Sequence, residues 1–228
     1  MKLTYFGHSC FQVEISGKTL LFDPFISPNE KAKHIDIYSL KPDYILVSHA
    51  HEDHIADLIP IAKQSGAKVI SVWEIFAWLG KQGLQNLHPM NSGGSFSFDF
   101  GTVQTVNAIH SSSFPDGSYG GNPVGFIVTS ADKKHCFYYA GDTALTTDMQ
   151  LIPLRHQLDF AVLPIGSNFT MDSHDAAMAA EWVKAPKVIG VHYDTFGYIV
   201  IDHEAAKQTF SRKQVELLLP EIGETIEV

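Results

Sequence analysis

The segment His49-Ala50-His51-Glu52-Asp53-His54 places three imidazoles and the Asp53 carboxylate within six residues. Side chains two apart on an extended strand point to the same side, so His49 and His51 suit a single metal ion. Asp53 and His54 fall just past the turn, where a helix starts, and face a neighbouring point that suits a second ion. Imidazole and carboxylate donors together select zinc, iron or manganese, whereas calcium takes cages of oxygen. A complete centre needs more donors, and the chain holds 12 histidines. His110 follows the run Thr105–Ile109, Asp142 follows Phe137–Gly141, and His192 follows Val188–Val191. Each therefore comes directly after a strand-like stretch, and strand ends gather at one sheet edge, where ligand sites form.

The elements that must position these residues are readable from apolar periodicity and turn formers. Lys2–Phe6, Phe11–Ile15 and Thr19–Phe22 read as strands, punctuated by Gly7 and Ser16-Gly17. Tyr44–Val47 reads as a buried strand that delivers Ser48-His49. Asp53 is expected to cap one helix carrying Ile55, Leu58, Ile59 and Ala62, which Gly66 ends before a strand at Lys68–Ser71. A helix at Trp73–Lys81 follows. Strands are expected at Phe96–Phe100, Thr102–Ile109, Val124–Thr129 and Cys136–Ala140. Helices at Thr146–Leu154, Ser173–Val183 and His203–Phe210 then alternate with strands at Asp159–Leu163, Lys187–Val191 and Val215–Leu217. Strands followed by helices in each half, without a linker, predict an α+β fold of two face-to-face sheets with helices outside, one domain over residues 1–228.

Composition narrows the function classes. With 45% hydrophobic and 18% charged residues, the chain is too apolar for a disordered segment. Lys and Arg number 16 against 25 Asp and Glu, giving −9, and an acidic surface repels phosphate backbones, so no nucleic-acid partner is expected. The apolar runs fall short of the roughly 18 residues of a spanning helix. Met1-Lys2-Leu3-Thr4-Tyr5 has no signal-peptide run, so a cytoplasmic protein with no membrane partner is expected. Cys10 and Cys136 form no Cys-x-x-Cys pair and read as reduced, small apolar residues.

The His-x-His-x-Asp-His motif, followed by His110, Asp142 and His192, resembles the metallo-β-lactamase-fold hydrolase superfamily over essentially the whole chain. Gly7-His8-Ser9, Leu21-Phe22-Asp23-Pro24, Ala140-Gly141-Asp142-Thr143, Leu163-Pro164-Ile165-Gly166 and Asn168-Phe169-Thr170-Met171 narrow the resemblance. They are similar to a bacterial and archaeal family of metal-dependent hydrolases of undefined substrate, related to the L-ascorbate 6-phosphate lactonases. The resemblance implies a four-layer αββα sandwich with a binuclear site at one edge. It also implies that His49, His51 and His110 hold one metal, that Asp53, His54 and His192 hold the other, and that Asp142 bridges them. The chain departs from the family pattern at Met171-Asp172-Ser173-His174-Asp175, where glycine or proline is expected near the helix start.

Two divalent transition-metal ions are the expected cofactors, zinc first, with manganese or iron suited to the same donors. A shared hydroxide between them is the expected nucleophile. Its expected target is an ester or lactone bond of a small, anionic metabolite, with Asp53 as the catalytic group that orients it. Phosphodiester hydrolysis on the same site is the alternative; a diiron redox protein would need a flavin domain for which this length leaves no room. No Gly-x-Ser-x-Gly elbow or phosphate loop is present.

Around the metals, His8, Asn168 and Tyr193 are expected to contact substrate, with Phe196 nearby, and Asp23 to hold a ligating imidazole. His34, His88, His135, His156 and His203 read as ordinary histidines, and Glu52 and Asp57 as solvated charges on a helix start. The loop 111–122, rich in glycine and aromatic residues, reads either as a substrate lid or as a surface-packed loop. Trp73, Trp78 and Phe25 suit a core or an interface, and a homo-oligomer is compatible with them.

Overall fold

The opening meander consists of β1 (Lys2–Gly7) and β2 (Cys10–Ile15), in which buried residues alternate with less buried ones over part of each strand, and β3 (Lys18–Phe22), whose last three residues are all buried. The structure is a computed structural model and describes residues 1–228. After two short 3-10 turns come β4 (Tyr44–Leu46), α1 (Glu52–Ile55), α2 (Leu58–Ser65), β5 (Lys68–Val72), α3 (Trp73–Lys81) and β6 (Leu87–Met90). The second half comprises β7 (Ser95–Phe98), β8 (Gly101–Asn107), β9 (Val124–Ser130), β10 (Cys136–Tyr139), β11 (Phe160–Pro164), α4 (Ser173–Val183), β12 (Lys187–Val191), α5 (His203–Ser211), β13 (Glu216–Leu218) and β14 (Thr225–Glu227).

The strands form two seven-stranded sheets, in the orders β14-β1-β2-β3-β4-β5-β6 and β13-β12-β11-β10-β9-β8-β7. In the first, β14 to β3 pair antiparallel and β3 to β6 parallel; in the second, β7 to β10 pair antiparallel and β10 to β13 parallel. Period-2 alternation in the second sheet sends Phe126, Phe137, Tyr139 and Phe160 inward, while Ile127, Tyr138 and Ala161 face α4 and α5. The inward aromatics meet Phe11 and Phe22 of the first sheet, with Phe11–Tyr139 and Phe22–Tyr139 ring centroids 5.0 and 5.6 Å apart. α2 and α3 bury Leu58, Ile61, Ile75 and Leu79 on the first sheet's outer face. The layers are helix, sheet, sheet, helix, an αββα sandwich.

Several elements differ from the sequence expectation. The single helix after His54 is two, because the Asp57 N–H turns to the Pro24 carbonyl, 3.0 Å away, instead of continuing the helical ladder. His51, not Asp53, is the N-cap of α1, and Asp53 stands inside its first turn. Thr147–Leu154 is a 3-10 run containing Pro153 rather than an α-helix. β6 and β14 were not expected: β6 contains Pro89, which argues against a strand, and both are edge strands, where such sequences are tolerated.

β1, β3, β4, β8, β10 and β12 all run in one sense within their sheets, so the segments that follow them emerge together at one edge of the sandwich. That edge receives His8, Asp23, His49, His110, Asp142 and His192.

Candidate metal centre

The loops at this edge bring all seven sequence-predicted ligands together. His49, His51 and His110 form one group of donor atoms lying within 4.8 Å of one another, and Asp53, His54 and His192 form another with His8. Asp142 stands between the groups. Its Oδ2 lies 3.0 Å from His192 Nε2, 3.3 Å from His54 Nε2, 3.7 Å from His110 Nε2 and 3.9 Å from His49 Nε2. Gly141 makes this approach possible: it adopts a left-handed φ of 63°, and a Cβ there would fall 2.8 Å from the Val124 carbonyl oxygen.

Asp23 is the anchor beneath the cluster. Its buried carboxylate accepts from Ser48 N at 2.7 Å, Tyr139 OH at 2.6 Å, His54 Nδ1 at 2.8 Å and the Ser48 hydroxyl. By holding the Nδ1 proton of His54 it leaves Nε2, the atom directed at Asp142, as the one that would give up its proton to an ion. His54 Nε2 and Asp142 Oδ1 are buried without a hydrogen-bond partner. Buried polar atoms are rarely left unpaired, and imidazole nitrogens and carboxylate oxygens are the donors a transition-metal ion takes. The residues therefore fit transition-metal ligation.

Electrostatics separate the two groups. Burial holds the His49, His51 and His110 imidazoles below the ordinary histidine value. Burial works in the same sense on His54 and His192, but Asp142 outweighs it, keeping His54 well above the ordinary value and His192 up at about 9. Asp53 is pushed up by burial, yet the imidazoles of His54, His192 and His8 hold its carboxyl well below the usual range. His8 is itself held down to about 4, chiefly by burial and then by His192.

His8 donates from Nε2 to Asp53 Oδ2 at 3.0 Å, and its Nδ1 lies 2.9 Å from Thr195 Oγ1. It reaches Asp53 from behind, with Phe25 and Phe196 rings each 5.4 Å from its own. His8, Asp23 and His192 all have positive φ, at 53°, 41° and 57°, so backbone strain gathers around the centre.

A cleft of about 440 Å³ opens over the cluster, floored by His51, Asp53, His110, Asp142 and His192. Its walls are Ser111, Phe169, Phe196 and Tyr198. Ser111 belongs to the loop read from the sequence as a lid or a surface-packed segment, whereas Phe169 and Tyr198 were not singled out as site residues, since isolated residues in irregular loops carry no periodic signal. Asn168 is exposed and does not line the cleft, although its neighbour Phe169 does. Tyr193 turns the opposite way, stacking on Tyr5 at 6.4 Å in a second hollow behind His8, because His192 and Asp194 on either side both adopt positive φ.

Asp57 is not a solvated charge: it is buried and accepts from the Ile26 and Ser27 amides at 2.6 and 2.8 Å, fastening α2 to the loop after β3. In loop 111–122, Phe114 is buried and stacks on Trp78 at 4.8 Å, and the Ala50 N–H donates to Ser112 Oγ at 3.2 Å. The loop braces the His49–His51 segment. Phe25 is buried and Trp73 is exposed. His174 is exposed in the first turn of α4, with Asp172 capping its backbone N–H. No helix is long and apolar enough to cross a membrane.

Residues 2–192 match the family model described as the beta-lactamase superfamily domain. The chain is 54% identical, over the full length of both proteins, to a UPF0173 metal-dependent hydrolase of Flavobacterium johnsoniae. It is 52% identical, again over the full length of both, to one of Christiangramia forsetii. Among solved structures it superposes on Igni18, a metallo hydrolase of Ignicoccus hospitalis, with a TM-score of 0.88 and 35% identity over 99% of this chain and 97% of that one. The gathered histidines and aspartates thus sit in a shared scaffold, and the chain belongs to the beta-lactamase superfamily, among the UPF0173 metal-dependent hydrolases.

Proposed function

We propose that the protein is a binuclear metal-dependent hydrolase that opens an ester or lactone bond in a small molecule. The observation that carries this reading is the position of Asp142 Oδ2, within 3.0–3.9 Å of imidazole nitrogens from both ligand groups. His49, His51 and His110 would hold one ion, Asp53, His54 and His192 the other, and Asp142 would serve both. The histidine-rich donor set favours zinc. Ions bound there supply an acidified water and polarise the oxygen of the scissile group.

The chain's own residues supply the rest. Asp53 lines the cleft with its side chain 26% exposed, so its carboxylate can accept a hydrogen bond from the attacking water and then carry its proton. His8 positions Asp53, fixing one carboxylate oxygen while the other remains directed at the cluster. The Ser111 hydroxyl, 3.4 Å from His51 Nε2, can donate to substrate oxygen at the cleft wall. A carbonyl electrophile suits this cleft better than a phosphodiester, because no Lys or Arg lines it to neutralise a phosphate. The same fact weighs against an anionic metabolite. A cytoplasmic small-molecule enzyme without a membrane partner is part of the same proposal, and the net charge of −9 argues against a nucleic-acid partner.

The test is a rate comparison on zinc-reconstituted protein between a lactone panel and a phosphodiester, with Asp53→Ala alongside. Metal-dependent lactone opening that the variant loses while keeping most of its metal supports the reading. Cleavage of the phosphodiester alone transfers the site to phosphorus chemistry, and turnover unchanged by Asp53→Ala removes that residue from the mechanism.

A further inference from the structure

The loops that enclose the cleft carry a charge pattern with a direct bearing on substrate. Residues 48–57, 109–122, 141–146, 166–172 and 192–202 contain no Lys or Arg, and the stretch 82–132 contains none either. The same loops carry acidic residues beyond the candidate ligands, including Asp116, Asp172, Asp194 and Asp202. An anionic group lying along this wall would meet no cationic side chain, since Ser111, Phe169, Phe196 and Tyr198 form it. Recognition of a carboxylate or phosphate at such a distance from the ions ordinarily uses Arg or Lys.

The wall offers aromatic surface instead. Phe169, Phe196 and Tyr198 are 49%, 38% and 79% exposed, far more than most aromatic residues of this chain. Phe169 and Tyr198 meet edge to face, with centroids 6.3 Å apart and planes at 75°, and the opposite side of Phe196 rests on Phe25 at 6.3 Å. These rings come from two separate loops, the turn after β11 and the turn after β12, and converge on one side of the ion-binding floor. Exposed apolar surface concentrated beside a polar, chemically active floor is the usual composition of a small-molecule pocket, where apolar walls bind and a few polar groups orient.

We infer that Phe169, Phe196 and Tyr198 form a specificity wall that seats an uncharged, apolar group of the substrate, an aromatic ring fitting best, while the scissile carbonyl lies over the Asp53–Asp142 floor. The inference rests on the hydrolase reading and supplies its substrate class: neutral esters or lactones with an apolar substituent. A ring of the substrate stacks edge or face against Phe196 and Tyr198, and the bond that breaks lies toward Asp53. The hydroxyl of Tyr198 leaves the outer rim polar enough to remain wet when no substrate is bound.

The experiment uses zinc-loaded protein and four methyl esters that share one reacting bond and differ in substituent: methyl acetate, methyl phenylacetate, monomethyl malonate and glycine betaine methyl ester. The expected order of kcat/KM places methyl phenylacetate first, roughly tenfold or more above methyl acetate. Phe196→Ala and Tyr198→Ala are expected to reduce that ratio roughly tenfold, through KM more than kcat. Tyr198→Arg is expected to raise the rank of monomethyl malonate. Binding of the unreactive phenylacetamide, followed by calorimetry on wild type and on Tyr198→Ala, gives a readout independent of turnover. If none of the esters is hydrolysed yet phenylacetamide binds and the variant weakens it, the hydrolase reading fails and the wall stands. Preference for the malonate or betaine ester, or a preference and an affinity untouched by both alanine variants, overturns the wall.

Discussion

The two ligand groups differ in what stands behind them. Behind Asp53, His54 and His192 there is a second layer of buried partners: Asp23 holds His54 Nδ1 at 2.8 Å, His8 holds Asp53 at 3.0 Å, and the His192 backbone N–H donates to the His8 carbonyl at 2.9 Å. Behind His51 and His110 there is little. His51 meets only the His49 imidazole at 2.9 Å and Ser111 at 3.4 Å, and His110 has only the Asp142 carboxylate at 3.7 Å. His49 does have a buried partner, Ser48 Oγ at 3.0 Å, and His192 Nδ1 has none, so the difference is one of degree: the group of Asp53, His54 and His192 carries more of the outer hydrogen bonds. Outer partners of this kind orient ligands and raise affinity, so the Asp53–His54–His192 group should bind the tighter ion.

The largest effect should come from removing the element common to both groups. Asp142→Asn keeps the shape but removes the charge, and activity should fall more than about a hundredfold with metal content dropping below two ions per chain, measured by elemental analysis beside kinetics. Full retention of both ions would show that Asp142 is not shared.

Asp23→Asn should discriminate between the groups. It touches His54 directly but reaches the other group only through Ser48, whose Oγ lies 3.0 Å from His49 Nδ1. A competition titration with a chromogenic chelator should find the tighter site weakened about 10- to 100-fold and the looser one much less. Equal weakening at both sites would erase the asymmetry.

Proton release sharpens the contrast further. In the metal-free protein His192 is held up at about 9 and His54 is also raised, so both carry protons at pH 7 that an ion must displace. Affinity at that group should therefore rise with pH up to about 9, by at most about tenfold per unit for each proton displaced. His49, His51 and His110 are held down and already neutral, so affinity at their group should change little above the ordinary value of 6.5. Calorimetry in two buffers of different ionisation enthalpy would resolve one proton-releasing and one silent binding phase; two identical phases would contradict the assignment.

Legibility in the sequence followed the same division between regular and irregular structure. Residues that follow a strand, such as His49, His110, Asp142 and His192, could be placed at one edge because apolar periodicity reveals the strand. α4 at Ser173–Val183 was readable at both ends because Asp172 caps it and the apolar face ends at Val183. Asp57 was misread because its partners, Ile26 and Ser27, are distant in sequence, and a carboxylate at a helix start ordinarily looks solvated. Tyr193 adjoins a ligand in sequence, yet two flanking left-handed residues turn it to the other side of His8. Of the aromatic wall, Phe196 was placed near the site from the sequence, whereas Phe169 and Tyr198 join it through loop geometry that carries no sequence signal.

In the proposed mechanism both candidate ion-binding groups act together on a carbonyl substrate. The most direct test is to titrate metal-free protein with zinc while following hydrolysis of a neutral lactone or ester. Tight uptake of the first equivalent is expected to leave the rate near background, with activity growing on the second, in step with a total of two ions per chain. Full activity at one equivalent, or hydrolysis that persists in excess chelator with no ion bound, would contradict it.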